Sequence, residues 1–185
     1  MTLVTLDEAK RQLDIESTSH DVELQLYVDA LDSVIEGYIG VVEQRQVTDV
    51  ITGGGGTGLS VLHPPLVAVS SLAGGPRAGS ITYPADTLTV NGPAGIISRL
   101  DGACFPAGAY TVTYTAGRAT VPPTVKLAAL ILLQHLWRTQ YGATRVPVGG
   151  ADDWSVTDPI PGFGYAVPNR VLQLLEPFKL PPGVA

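Results

Sequence analysis

Residues 121–137, VPPTVKLAALILLQHLW, constrain the fold of this 185-residue chain more than any other stretch. The stretch carries one charge, at Lys126, and it has no polar side chain from Leu127 to Leu133. The proline pair before Thr124 suits the start of a helix, where a missing amide proton costs little. A helix that is apolar on every side has to be buried on every side. The sequence therefore predicts a helix over 123–141 that forms a central rod, against which N-terminal helices and a β region pack.

The apolar stretch is too short to cross a membrane. A membrane-spanning helix needs about 20 predominantly apolar residues, and here Lys126 interrupts one end while Gln134, His135 and Arg138 close the other. The N-terminus also lacks the basic start, apolar run and small-residue cleavage site of a secretory signal. We therefore expect no contact with a membrane and a cytoplasmic location.

The charge of the chain is distributed unevenly. The formal net charge is −6, and residues 1–49 alone hold eleven acidic and three basic side chains. No cluster of basic residues resembles the footprint of a nucleic-acid-binding protein. Tight DNA binding is therefore not expected, whereas passage of DNA without specific binding remains compatible with the sequence.

Two helices are predicted before residue 40. Thr5 and Glu8 have the spacing of a capping box, which places the first helix over 5–15. The second is expected over 20–39, with Gly40 as its stop. Apolar residues recur at helical spacing along one stripe of this second helix: Leu24, Val28, Leu31, Ile35 and Tyr38.

The second predicted helix has two further surfaces. A smaller apolar patch on its far side is a candidate subunit interface, because a monomer would have little to pack there; it consists of Val22, Leu26 and Ala30. An acidic flank without a basic partner consists of Asp29, Asp32 and Glu36. This flank is either a solvated face, or a surface that meets a partner's basic groups or repels passing DNA.

In residues 45–115 the apolar and polar side chains alternate with a period of two residues, which is typical of β-strands. Short β-rich runs such as VTDVIT, LVAVSSL and YTVTYT are separated by glycine, proline and asparagine. The segment NGPAG, residues 91–95, predicts a hairpin connection between 87–90 and 96–99. The sequence therefore predicts a compact antiparallel β region inserted between the helices, and an α+β fold.

The C-terminal part divides into a loop and a short helix. Residues 143–166 are rich in glycine and proline and are expected to be a long flexible loop after a core of 1–142. Pro168 can begin a helix within 167–185, with Pro177 near its end. The helix either docks on another protein or folds back on its own chain. Its candidate docking residues are Val167, Val171, Leu174, Leu175 and Phe178.

No group of residues resembles a catalytic or cofactor site. The run GGGGTG at 53–58 formally fits GxGxxG, but a strand-like segment follows it where the motif needs a helix, so we expect the tip of a hairpin. The three histidines are far apart, and His135 is expected to be a hydrogen-bonded core residue. Cys104, the single cysteine, is expected to be a small buried side chain. The sequence thus predicts no metal, no cofactor and no enzymatic activity.

The order of the segments resembles the head–tail connector (adaptor) proteins of long-tailed bacteriophages. The matching segments are TLDEAKRQLDI, DVELQLYVDALDSVIEGYIG, LHPPLVAVSSL, YPADTLTVN and VTYTAGRATVPPTVKLAALILLQHLW, with a less firm match at GYAVPNRVLQLLEPF. The resemblance covers about residues 3–142. Many relatives end the long helix with a strongly charged sequence, whereas this chain has LWRTQYG.

The resemblance implies a structural role in the virion. Such proteins form a ring beneath the portal, expected here to be a dodecamer, with a channel for genomic DNA and a surface for the stopper or tail-completion protein. In relatives the C-terminal segment reaches the portal, which would give that task to residues 167–178. The acids Asp29, Asp32 and Glu36 would then face the channel and keep DNA from adhering.

Two other functions are alternatives to the connector. A stopper or tail terminator would be dominated by β structure and lack the long central helix. A small enzyme or ligand-binding domain would be a monomer or dimer with a convergent polar pocket, and the sequence offers no residues with which to build one.

Overall fold

The computed structural model describes residues 3–76, 81–141 and 167–181. These residues form an α+β structure, as the sequence predicts. The helices are α1 (Leu6–Leu13), α2 (Asp21–Ile39), α3 (Pro123–Tyr141) and α4 (Asn169–Leu175). The strands are β1 (Arg45–Gly53), β2 (Gly58–Ser60), β3 (Leu66–Gly75), β4 (Ile81–Tyr83), β5 (Leu88–Asn91), β6 (Ile96–Arg99) and β7 (Gly108–Ala116). The loop predicted over 143–166 lies outside the described residues.

The chain divides into two compact units. The helical unit consists of Thr2–Val34 and Pro122–Pro177, and the β unit consists of Ile35–Val121 and Phe178–Ala185. The β unit is thus inserted into the sequence of the helical unit, and it includes the last turn of α2. None of the helices in the described ranges is both long and apolar enough to span a membrane.

Helix α1 begins with the predicted capping box. The Glu8 amide donates to Thr5 Oγ1 at 3.3 Å, and the Thr5 amide donates to Glu8 Oε2 at 3.0 Å. The helix ends two residues before the predicted position, because Asp14 adopts a left-handed conformation with φ of 54°. The Ile15 amide then donates to the Lys10 carbonyl and closes the last turn.

Helix α3 is buried on one side only, so the prediction that it is buried all round is wrong for the described chain. The buried positions form a stripe at helical spacing: Val125, Ala128, Ala129, Leu132 and Leu133. Leu127 is 45 % exposed. Helices α1 and α4 pack against α3 within the helical unit. Lys126 Nζ donates to Glu8 Oε1 at 2.6 Å, which ties the start of α3 to α1.

The β unit is antiparallel, as predicted, and it contains two sheets. Strands in the first sheet follow the order β1-β7-β3-β4, and those in the second follow β2-β6-β5. The hairpin predicted around residues 91–95 is confirmed by the pairing of β5 with β6. Strand β4 was not predicted. Inward-facing residues of both sheets share one core within the β unit; the core includes Ile51, Leu59, Leu72, Ile97, Tyr110 and Val112.

Strand β7 lies between β1 and β3 in the first sheet. Its side chains alternate between the buried and the outer face, as the sequence predicts. Tyr110, Val112 and Tyr114 are fully buried, whereas the threonines between them lie on the outer face. Strand β1 pairs with β7 along its whole length, from Arg45 opposite Ala116 to Gly53 opposite Gly108.

The glycine run at 53–58 connects the two sheets, so it is not the tip of a hairpin. Strand β1, which precedes the run, belongs to the first sheet, and β2, which follows it, pairs with β6 in the second. Gly53 is closely packed, since a Cβ there would lie 2.7 Å from the Tyr110 ring.

The segment before β1 and the segment after β7 lie next to each other. The Arg118 amide donates to the Val42 carbonyl at 3.1 Å, and the Gly117 amide donates to the Pro65 carbonyl at 2.9 Å. Gly117 has φ of +100°, and a Cβ there would lie 2.3 Å from the Glu43 carbonyl oxygen. Only glycine fits this junction.

Candidate functional site

The predicted apolar patch on α2 is exposed. Val22 is 84 % exposed and Leu26 is 66 % exposed, and Ala30 lies in the same row at i, i+4 spacing. Val34 continues the row and is 45 % exposed, and it was not among the predicted residues of the patch. We call Val22, Leu26, Ala30 and Val34 the α2 stripe. A row of exposed apolar side chains on a long helix is typical of an interaction surface.

The acidic flank of α2 has local hydrogen-bond partners. Gln25 Nε2 donates to Asp29 Oδ1 at 2.8 Å, one turn away on the exposed surface. Asp32 Oδ1 accepts a hydrogen bond from the Leu3 amide at 3.1 Å, which fixes the residues before α1 within the helical unit. Asp32 therefore has a structural contact as well as a surface position.

Glu36 contradicts the expectation that the flank lacks a basic partner. Arg45 donates through two guanidinium nitrogens to the two carboxylate oxygens of Glu36, at 2.7 and 2.9 Å. The Val42 amide donates to the same carboxylate at 3.2 Å. Burial raises the pKa of Glu36, but the hydrogen bonds from Arg45 and Val42 outweigh it and hold the pKa below its usual value. Glu36 is thus ionised and neutralised by its own β unit.

Arg118 organises the end of α2 and the C-terminal segment of the β unit. Its guanidinium donates to the carbonyl oxygens of Ile39, Val41 and Phe178, each at 3.0 Å. It also lies over the Phe178 ring, 5.9 Å from the ring centroid. A cation at the last carbonyls of a helix is favourable. No role was predicted for this arginine of the segment TAGRATVPP, because contacts with three backbone carbonyls leave no signal in a sequence.

The predicted docking residues near the C-terminus are only partly accessible. Val171 and Leu175 are buried within the helical unit, where α4 packs on α3. Val167, Leu174 and Phe178 are half-buried. Of the two alternatives for this helix, folding back on its own chain holds for Val171 and Leu175. Docking on a portal stays a prediction.

A buried carboxylate in the β unit was not predicted. Asp49 is buried. Its carboxylate accepts a hydrogen bond from the Tyr114 hydroxyl at 2.5 Å and another from the Leu62 amide at 3.1 Å. His63 Nδ1 lies 3.1 Å from Asp49 Oδ1. Burial raises the pKa of Asp49, but these hydrogen bonds, Tyr114 foremost, hold it below its usual value. With no nucleophile in the cluster, we interpret Asp49 as a structural anchor for the segment 62–65.

The described residues hold no group of histidine, cysteine or acidic side chains suited to a metal ion. Two expectations for single residues are wrong. Cys104 is exposed rather than buried, because it lies in the turn after β6. His135 is half-buried and not a core residue, because α3 is covered on one side only.

Comparisons with known proteins agree with the fold. The chain is similar to a protein in the neck of an empty gene transfer agent particle, a neck computed with C6 symmetry. The TM-score is 0.65 and the identity 18 %, over 99 % of this chain and 92 % of that one. It is similarly related to a chain in the virion of the native gene transfer agent particle, with TM-score 0.66, 18 % identity and the same coverage. No match was found among curated proteins.

A family model for head completion proteins matches residues 2–179. The match covers both units and the segments that carried the resemblance to head–tail connectors, and it confirms the interpretation of the chain as a structural protein of the head–tail junction. The chain belongs to the head completion protein family.

Proposed function

We propose that the chain is a connector subunit that assembles as a ring beneath the portal, in the neck of a phage-like particle. Agreement of the fold along 99 % of the chain with a protein of such a neck carries the proposal. The ring joins the DNA-filled capsid to the stopper or tail-completion protein and leaves a channel for the genome. The subunit is made in the host cytoplasm and works in the virion, without a cofactor or a catalytic step.

A ring of twelve copies is our proposal for the stoichiometry. The similar neck was computed with C6 symmetry, and a ring of twelve has a sixfold axis among its symmetry elements. A closed ring of identical subunits uses two different faces of each subunit, one for each neighbour. The α2 stripe, with Val22, Leu26 and Ala30, is proposed as one of these faces, because its apolar side chains are exposed in the single chain.

The acidic flank is proposed to face the channel. Carboxylates repel the DNA phosphates, so the genome can pass without adhering to the ring. The three acids would contribute unequally. Glu36 is neutralised by Arg45, and Asp32 accepts a hydrogen bond from Leu3. Asp29, whose described hydrogen bond is to the neutral Gln25, would contribute most of the repulsion.

The C-terminal segment is proposed to contact the portal. Leu174 and Phe178 are the docking candidates that keep part of their surface exposed while α4 remains packed on α3. Val171 and Leu175 would join the contact only after leaving their buried positions, together with Val167 at the start of the segment.

Mass measurement with and without the portal tests the proposal. The purified chain, its cognate portal and their mixture are compared by light scattering, and any complex is imaged by electron microscopy. We expect a ring of the chain stacked coaxially on the portal, whether or not the free chain is already a ring. A stable monomer or dimer that does not bind the portal would contradict the connector function.

A further inference from the structure

We propose that neighbouring subunits of the ring pair two unlike surfaces, the outer face of the four-stranded sheet on one copy and the α2 stripe on the next copy. The inference rests on the proposed ring, and it names both halves of the subunit contact. The first half lies in the β unit and the second in the helical unit, so each subunit offers one of each.

The outer face of the first sheet is built from matched rows across the strands. The pairing places Gln46 beside Thr115 and Ala68, and Thr48 beside Thr113 and Ser71. Further rows contain Val50, Thr111, Ala73 and Thr82, and then Thr52, Ala109 and Gly75. We call these residues the sheet face. Val50 is 69 % exposed, and Thr48 Oγ1 lies 2.9 Å from Thr113 Oγ1.

The sheet face carries no ionisable side chain at any of these positions. An antiparallel sheet that faces water normally presents charged residues, which also protect it against unwanted pairing. Here the methyl groups of threonine, alanine and valine alternate with hydroxyl groups in a chain with seventeen acidic residues. An exposed β surface of this composition is suited to contact with another protein surface.

The two surfaces match in length. The α2 stripe runs from Val22 to Val34, which is about 18 Å along a helix axis. Strands β1 and β7 are nine residues long, or about 30 Å. A helix row of this length fits within the sheet face, where its valine and leucine side chains would contact the threonine methyl groups and Val50.

The distribution of charge favours contact between an α2 stripe and a sheet face over contact between two α2 stripes. Glu23 and Asp29 flank the α2 stripe. Two α2 stripes packed together would bring these carboxylates near their own copies, which is destabilising. The sheet face carries no acid, so it accepts the flanked helix without that repulsion, and its free hydroxyl groups can donate to the carboxylates. Two sheet faces packed together would form a contact that closes on itself as a dimer, whereas a ring whose subunits all point the same way needs two different faces.

Disulfide trapping tests the pairing directly. In a Cys104→Ser background, one chain carries Leu26→Cys and a second carries Thr111→Cys. We expect the mixture to form the mixed disulfide dimer at least about tenfold faster than either chain forms its own dimer, as for a preferred contact. The matched control replaces Thr111→Cys by Leu100→Cys, whose position is 65 % exposed and lies outside the sheet face. Equal rates for all pairs would overturn the inference.

Charge variants test the same contact in the assembly. Leu26→Glu and Val50→Glu each place a carboxylate on one surface, so each alone should stop ring growth on the portal. Their mixture should give a one-to-one dimer through the remaining intact pair of surfaces. Leu100→Glu should assemble as the unmodified chain does, and thermal unfolding checks that all variants are folded.

The outcomes separate this inference from the proposed function. If the Leu26→Glu chain and the Val50→Glu chain each form rings normally on their own, the pairing is overturned and the connector function is left intact. An unmodified chain that never assembles with the portal contradicts the connector function, and the disulfide rates still decide whether the two surfaces prefer each other.

Discussion

Asp49 is a buried carboxylate whose charge is stabilised by hydrogen bonds. Tyr114 and the Leu62 amide donate to it, and His63 lies within hydrogen-bond distance. Its pKa in the folded chain lies below the usual value. The group therefore contributes stability above its unfolded pKa of about 4, and this contribution is lost as the pH falls through the lower folded pKa.

Removing the Tyr114 hydroxyl should destabilise the chain and change its response to acid. We expect Tyr114→Phe to lower the free energy of unfolding by about 2 kcal/mol at pH 7, because a buried carboxylate loses a donor. The difference from the unmodified chain should narrow as the pH falls below the unfolded pKa of about 4, and it should disappear once the pH is also below the lower folded pKa of Asp49. Urea unfolding at several pH values measures both effects.

Tyr110→Phe is the matched control for Tyr114→Phe. The Tyr110 hydroxyl donates to the neutral Pro106 carbonyl at 2.6 Å. This variant should lose about 1 kcal/mol with no change in the acid dependence. The same acid dependence in both variants would show that Tyr114 does not stabilise the Asp49 charge.

Residues of this kind could not be identified from the sequence. Asp49 and Tyr114 are 65 positions apart, and Arg118 reaches a carbonyl 60 positions away. Hydrogen bonds between distant segments depend on the completed fold, and neither residue stands in a motif. The exposed Val22 and Leu26 were identifiable, because helical periodicity alone places them opposite the buried stripe.

Helices were the elements that the sequence predicted best. The structure begins α2 one residue after the predicted start and ends it at the predicted Ile39. Capping residues and stop glycines act on their neighbours in the sequence, so the helix ends that they predict do not depend on the rest of the fold. The burial of α3 was not predictable in the same way. An apolar composition shows that a helix needs partners, and it does not show whether those partners belong to the same chain.

The positions of the strands other than β4 were also predicted, but not their assignment to two sheets. The pairing of β1 with β7 joins segments on opposite sides of the inserted region. Nothing local distinguishes this pairing from a hairpin between β1 and β2 across the glycine run. The choice depends on which strands can share the core around Tyr110 and Ile97.

The junction after β7 should not tolerate a side chain at Gly117. Gly117→Ala places a Cβ 2.3 Å from the Glu43 carbonyl oxygen and forces a positive φ on alanine. We expect a loss of at least about 2 kcal/mol in stability, measured by thermal or urea unfolding. Gly56→Ala is the control, because nothing lies within 4 Å of a Cβ at that position. Equal stability of the two variants would contradict the strained junction.

The whole subunit combines an acidic N-terminal part with an uncharged sheet face. In an assembled ring, the position of the acids decides how DNA interacts with the channel. Asp29→Lys should increase retention of DNA by the ring and slow genome release, because a repulsive group becomes a phosphate contact. Each new phosphate contact should make the dependence of log binding constant on log salt steeper by about 0.9. Binding to assembled rings across a salt series measures this slope.

Glu16→Lys makes the same change of charge at an exposed position outside α2. This control should leave the salt dependence and the release of DNA unchanged. Unaltered DNA retention in Asp29→Lys rings that assemble normally would show that the acidic flank does not face the channel.

The adjacent positions of Val42 and Arg118 have a consequence for the order of folding. Contact between Glu8 and Lys126 in an unfolded chain closes a loop across 118 positions, at an entropic cost of about 4 kcal/mol. The folded β unit already joins Val42 to Arg118 through a backbone hydrogen bond, so most of that loop is closed before α1 meets α3. We therefore expect the β unit to fold first and the helical unit to follow, so that a newly made subunit presents its sheet face before its α2 stripe.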